Sequence, residues 1–193
     1  AALVILIASF HFIIMRSGGI PDLFSSEMTF EEPLIEEAVR ATLGKDAAEP
    51  ISEEDLLSIR ELFIFGDNVA TNTEVFQQYA DRFVNNGGGI RRGSIRSLDD
   101  LKKLKNLSRI SLVFQNIADI NGLAELTYLE YIDLRHNPLE DVSPLSHATS
   151  LDTLILFDTN VADLTSLSGC HHLVNVDIGD TQVQSITALD GLD

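Results

Sequence analysis

Positions 87–94, Gly-Gly-Gly-Ile-Arg-Arg-Gly-Ser, have the residue types of an anion cradle: glycines let backbone N–H groups close on a phosphate, and guanidinium groups supply charge. The details do not fit. Gly88 and Gly93 keep the four-residue gap of a phosphate loop, but Ser94 stands where its lysine belongs, and no parallel strand–helix–strand pattern surrounds it. The segment reads as a solvated loop, with contact to an anion or an acidic partner as the alternative. Around it, between Arg82 and Arg109, lie eight of the chain's thirteen basic residues, a patch able to complement the acidic segment before it. Imidazole is a common metal ligand. Adjacent His171 and His172 have no spaced carboxylate or cysteine partner, however, and His136 and His147 fall at other phases of the pattern described next. No nucleophile, base and orienting group recur in order. Enzymatic activity, a cofactor, a bound metal and a small-molecule substrate are not expected.

The chemistry the chain is rich in is recognition, and it rests on a repeat. Four stretches superimpose at an offset of 22 residues with every apolar position in register. Leu107, Leu129, Leu151 and Leu173 begin them; Ile110, Ile132, Leu154 and Val176 follow, then Leu112, Leu134, Leu156 and Ile178. The form L-x-x-L-x-L-x-x-N-x-L at this period is the leucine-rich-repeat signature, and a unit so small buries its apolar face only by stacking on its neighbours. The expected fold is an α/β solenoid with short parallel strands on the concave face, a helical N-terminal cap, and 3-10 or extended segments on the convex side. The asparagine positions hold Gln115, Asn137, Thr159 and Thr181, whose amide or hydroxyl must satisfy backbone groups left by the turn after each strand. Cys170 falls where other units have leucine or alanine and is expected to be a buried apolar residue.

Side chains between the leucines of each strand face the concave side, and strands about 4.8 Å apart join them into one surface. The partner-binding residues expected there are Arg109, Val113, Tyr131, Asp133, Arg135, Ile155, Phe157, Asn175 and Asp177. Val113, Tyr131, Ile155 and Phe157 form an apolar, partly aromatic patch bordered by Arg109 and Arg135, the residue types that anchor protein interfaces. The alternative is that the aromatics stack across strands for stability. Glu61, Phe63 and Phe65 extend the surface towards the cap.

With 193 residues and 45% hydrophobic content the chain can bury a continuous core. Its net charge of -17 is uneven: residues 107–193 carry thirteen carboxylates against Arg109 and Arg135 and no lysine. Nucleic-acid binding through the repeats is therefore excluded, since it requires clustered cations that release phosphate counterions.

Ahead of the repeats, residues 1–15 are apolar apart from Ser9 and His11, with no start methionine. They read as part of a transmembrane helix, with a signal-peptide core or a buried helix as alternatives. Residues 16–30 suit a linker. Residues 31–58 hold an amphipathic helix with Leu34, Ile35, Ala38, Val39 and Leu43 on one side, closed by Gly44, and a second helix opened by the Ser52–Asp55 capping box. Together they form the N-terminal cap. The repeats span 59–193, beginning with Ile59, Leu62 and Ile64, and are interrupted at 70–94 by an insertion whose TEVFQQYADRFVNN segment predicts a helix with one apolar side.

LEYIDLRHNPLEDVSPLSHATS and LDTLILFDTNVADLTSLSGCHH resemble the 22-residue repeats of bacterial internalins and of a eukaryotic phosphatase-regulator class, and Asn137 to Leu145 is especially internalin-like. The helical segment before them resembles the cap of many Gram-positive surface proteins. The resemblance implies a bacterial protein that binds another protein, tethered to a membrane by its N-terminal apolar segment with the repeats outside the cell, or secreted to the cell surface. Alternatives are the sensory ectodomain of a receptor-type enzyme and a cytosolic regulatory subunit. The insertion is atypical of the resemblance.

Overall fold

The computed structural model describes residues 28–86 and 89–190. The apolar segment 1–15 lies outside them; among the described residues no helix is long and apolar enough to cross a membrane.

Helix α1, Pro33–Leu43, has proline in its first turn, where a missing N–H costs nothing, and ends at Gly44, whose φ of 65° a side chain would resist. Its buried stripe is Leu34, Ile35, Ala38 and Val39. Helix α2, Glu53–Ser58, is opened by a reciprocal capping box: Ser52 Oγ accepts the Asp55 N–H, and Asp55 Oδ2 accepts the Ser52 N–H. Two carboxylates stitch α1 to the coils. Asp100 Oδ2 accepts the N–H groups of Glu31 and Glu32, both at 2.8 Å, and Glu32 Oε1 accepts those of Arg96 and Ser97. Asp100 is buried, and its charge lies where a helix start presents unpaired N–H groups.

Five strands form a parallel ladder: β1 (Glu61–Phe65), β3 (Arg109–Val113), β4 (Tyr131–Asp133), β5 (Thr153–Ile155) and β6 (Asn175–Asp177). Register partners Arg109, Tyr131, Thr153 and Asn175 are each 22 residues apart, the period of the sequence, whereas Glu61 to Arg109 is a step of 48. The surplus residues form two elements. β2, Asn68–Ala70, turns back and pairs antiparallel with β1 at the sheet edge. Val69 belongs to this strand and packs against the main core. Helix α3, Thr73–Asn86, follows it.

On the convex side 3-10 turns at Asp99–Lys103, Asn121–Leu123, Ser143–His147, Thr165–Gly169 and Thr187–Leu189 take the place of helices, for which a 22-residue coil has no room. Between the two sides the leucine positions from Leu62 to Leu173 merge with the cap into one core. Cys170 lies in it, and burial pushes its thiol above the ordinary value. Stacking is close where the turns meet. A side chain at Gly122 would put its Cβ 2.0 Å from the Leu98 carbonyl oxygen. Gly122→Ala is expected to force the first two turns apart and cost about 1–3 kcal/mol, read as a lower urea midpoint; an unchanged midpoint would show that the backbone yields freely.

Candidate partner-binding face

Each of the five parallel strands is followed, within three residues, by one of left-handed conformation: Gly66 (φ 58°), Phe114 (59°), His136 (60°), Asp158 (53°) and Asp180 (53°). All but the glycine resist this backbone. The turn is held because the ladder continues through it: the N–H of Gly66 donates to Val113 O, Phe114 to Arg135 O, His136 to Phe157 O and Asp158 to Gly179 O. Behind the turn, as the sequence requires, polar side chains close the remaining backbone groups. Asn137 Nδ2 donates to Leu112 O and Leu134 O, and its Oδ1 accepts the Ile117 N–H. Gln115 bonds Gly66 O and the Ile95 N–H, whereas Thr159 and Thr181 each reach one carbonyl. These anchors fix the direction in which the outward-facing strand residues point.

The insertion covers the first part of that face. Helix α3 packs Phe76 and Ala80, with Val75, Tyr79 and Phe83 at the margin, onto Phe63, Phe65, Ile90 and Val113, a second apolar cluster separate from the solenoid core. Phe76 stands 5.9 Å from Phe63 and 5.6 Å from Phe65, and Phe83 is 5.4 Å from Phe65. Val113, expected to contact a partner, is fully buried there instead. The strand pattern puts it on the concave side, but nothing in that pattern announces a helix returning over it.

Asp133 departs from expectation too. Its side chain is 0% exposed, so it cannot touch a partner directly. It works through Arg135: Oδ2 accepts from Nε at 3.0 Å and Nη2 at 2.7 Å, and Oδ1 accepts the Arg135 N–H. Burial raises the Asp133 pKa, opposed first by the charge of Arg135. Arg135, 30% exposed, is thereby held in one orientation on the open face.

The other expected residues remain accessible in whole or part. Arg109 lies over the Tyr131 ring, 4.3 Å from its centroid, and pairs with Glu61 at 3.5 Å. Partial burial, then the nearby Asp133 carboxylate, push the Tyr131 phenol above its ordinary value. Ile155 and Phe157 are half-buried, Asn175 and Asp177 exposed. Phe157 lies over Gly179, where a Cβ would come 2.8 Å from its Cδ2, and meets His136 edge-on at 5.5 Å. His136 also contacts Phe83 of α3 at 5.6 Å and shares a hydrogen bond with Asp158 at 2.8 Å. It joins the covered aromatic cluster to Phe157, a role that four histidines scattered over the repeat phases did not reveal. The available signal was the 22-residue step from Phe114 to His136, one place beyond the outward strand positions.

The arginines after the glycine run are engaged within the chain. Arg91 pairs with Asp67 at 2.8 Å. Arg92 stacks on Phe114 at 4.3 Å and donates through Nη1 to the carbonyls of Gln115 and His136. A phosphate would have to displace these contacts. Among the described residues no cluster of three or more His, Cys, Asp or Glu side chains is arranged to hold a metal.

No protein-family model and no curated protein sequence matches the chain. Solved structures do. An internalin (inlF) from Listeria monocytogenes aligns over 90% of this chain with a TM-score of 0.62 and 23% identity, and internalin C2 (inlC2) from the same species over 85% with a TM-score of 0.50 and 23% identity. The chain spans about half the length of the first (51%) and most of the second (91%). With its parallel strands, 22-residue coils and convex 3-10 turns, the chain has an internalin-like leucine-rich-repeat fold.

Proposed function

We propose that this chain is a protein-interaction module of a bacterial surface or secreted protein, tethered where residues 1–15 complete a membrane helix, and that it acts by binding and not by catalysis. Its partner is met by the open part of the concave face: Tyr131, Arg135, Ile155, Phe157, Asn175 and Asp177, with Arg109 at the margin. One observation carries this reading. Ile155 and Phe157 stay partly exposed beside an arginine held by a buried carboxylate, so apolar and aromatic area and a fixed charge coincide on a face otherwise available to water.

A photoreactive side chain at Asn175, compared with one at Ser168 on the convex side, tests the proposal on intact cells. A discrete, saturable adduct is expected from position 175 alone. Tyr131→Ala with Phe157→Ala should remove it while the double variant still unfolds cooperatively. Equal adducts from both positions, or capture unaffected by the double variant, would refute the assignment.

A further inference from the structure

We propose that the Ile155–Phe157 pair seats an amphipathic helix of another protein, one that carries a carboxylate on the flank beside its apolar stripe. This rests on the recognition reading above and names the shape and charge of what is recognised. The argument begins with register. Phe63, Ser111, Asp133, Ile155 and Asp177 lie in one line across the sheet. In the next outward line Phe65 pairs with Val113, and the 22-residue step leads on to Arg135, Phe157 and Gly179. Among the described coils, large apolar side chains fill both lines only at β1, as Phe63 and Phe65, and at β5 with the turn that follows it, as Ile155 and Phe157.

The β1 pair already holds a helix. α3 lays Phe76, Ala80 and Phe83 on it, a stripe at i, i+4 and i+7. The molecule thus demonstrates on its own face what such a pair accepts. The β5 pair repeats the chemistry, and among the described residues no helix lies over it. It is also pre-set. The Phe157 ring rests on Gly179, the residue that leaves it room, and is braced by the edge of His136. A ring held in place before binding loses little rotamer freedom when it is covered.

Charge selects the flank. The chain as a whole is acidic, with a net charge of -17, but the turn after β4, next to the seat, carries Arg135, whose Nε and Nη2 are turned to Asp133 while the guanidinium has further N–H donors to offer. Asp177 is exposed on the opposite side, on β6. A helix with a carboxylate towards β4 and a basic residue towards β6 meets both.

The test uses the whole chain, labelled with 15N, and two stapled helices of α3's 14-residue length bearing Phe, Ala and Phe at i, i+4 and i+7. One carries glutamate on one flank of the stripe; in the other, lysine replaces it. The glutamate helix should bind saturably, with amide shifts concentrated at Arg135, Ile155, Phe157 and Asp177. The lysine helix should bind weaker by about tenfold or more. Phe157→Ala should weaken the glutamate helix by about tenfold or more, and Phe157→Leu by less, with α3 remaining helical and packed on Phe63 and Phe65 in both variants. Absence of saturable shifts, equal binding of the two helices, or shifts centred on Phe63 and Phe65 through displacement of α3 would each overturn the proposal. So would a dimer of the free protein that Phe157→Ala converts to monomer, since a second copy would then be the occupant. If both helices fail while position 175 still captures a partner, recognition stands and the helical occupant is discarded.

Discussion

Replacing Asn137 with alanine is expected to lower the unfolding free energy by about 3–5 kcal/mol, measured as a fall in the urea midpoint. The residue is 3% exposed, and its amide does the work of several groups at once. Without it the carbonyls of Leu112 and Leu134 and the N–H of Ile117 lose their partner in a place water does not reach. Each buried group left unpaired costs about 1–3 kcal/mol. Thr159, at the corresponding position one coil later, bonds the Leu156 carbonyl alone. Thr159→Ala should cost only about 1 kcal/mol. The contrast between the two variants is the informative measurement: equal losses would mean that the ladder's hydrogen bonds are not what holds the turns.

Arg135→Ala should cost nearly as much, about 3 kcal/mol, because it leaves the Asp133 carboxylate buried without its counter-charge. Asp133→Asn in the same background should restore most of the loss, since a neutral amide does not need the guanidinium. The pH dependence has a definite sign. A carboxylate whose folded pKa is raised binds its proton more tightly when folded, so this group's contribution to stability is larger at low pH. It falls as pH rises from the ordinary value of 3.8 through the raised one. Removing Arg135 removes the positive charge that most opposes the rise and moves the pKa higher still. The deficit of Arg135→Ala relative to the parent should therefore shrink as pH is lowered from neutrality towards the raised value, a comparison in which the other carboxylates largely cancel. A deficit independent of pH would show that lost packing around the arginine stem, and not a stranded charge, is responsible.

Much of this architecture is local and was legible residue by residue. The 22-residue recurrence of leucines specifies coils that stack, because a coil of that size has an apolar edge on each side and no other way to cover it. The same recurrence marks Gln115, Asn137, Thr159 and Thr181 as the residues that close the turns. Gly44 and the Ser52–Asp55 box mark helix ends through hydrogen bonds between groups a few residues apart. Alternation within each strand likewise separates inward leucines from outward side chains, including all nine expected to meet a partner.

Which of those nine remain within reach was decided by contacts between distant parts of the chain. The apolar stripe of α3 says that the helix must cover something, but not that it folds back over Phe63, Phe65 and Val113; amphipathicity gives a face, not its counterpart. Val113 leaves the open surface for that reason. Asp133 leaves it because Arg135 and the neighbouring coils close around its carboxylate, an outcome of side-chain packing that alternation does not encode. Phe157 is held because the turn after β6 supplies Gly179 beneath its ring and the turn after β4 supplies His136 at its edge, two residues 43 positions apart in the sequence and brought together by stacking. Periodicity determined the solenoid and the direction of each side chain, since both follow from short-range geometry. How much of the concave face stays open was decided only when α3, the strands and the turns came to share the same space.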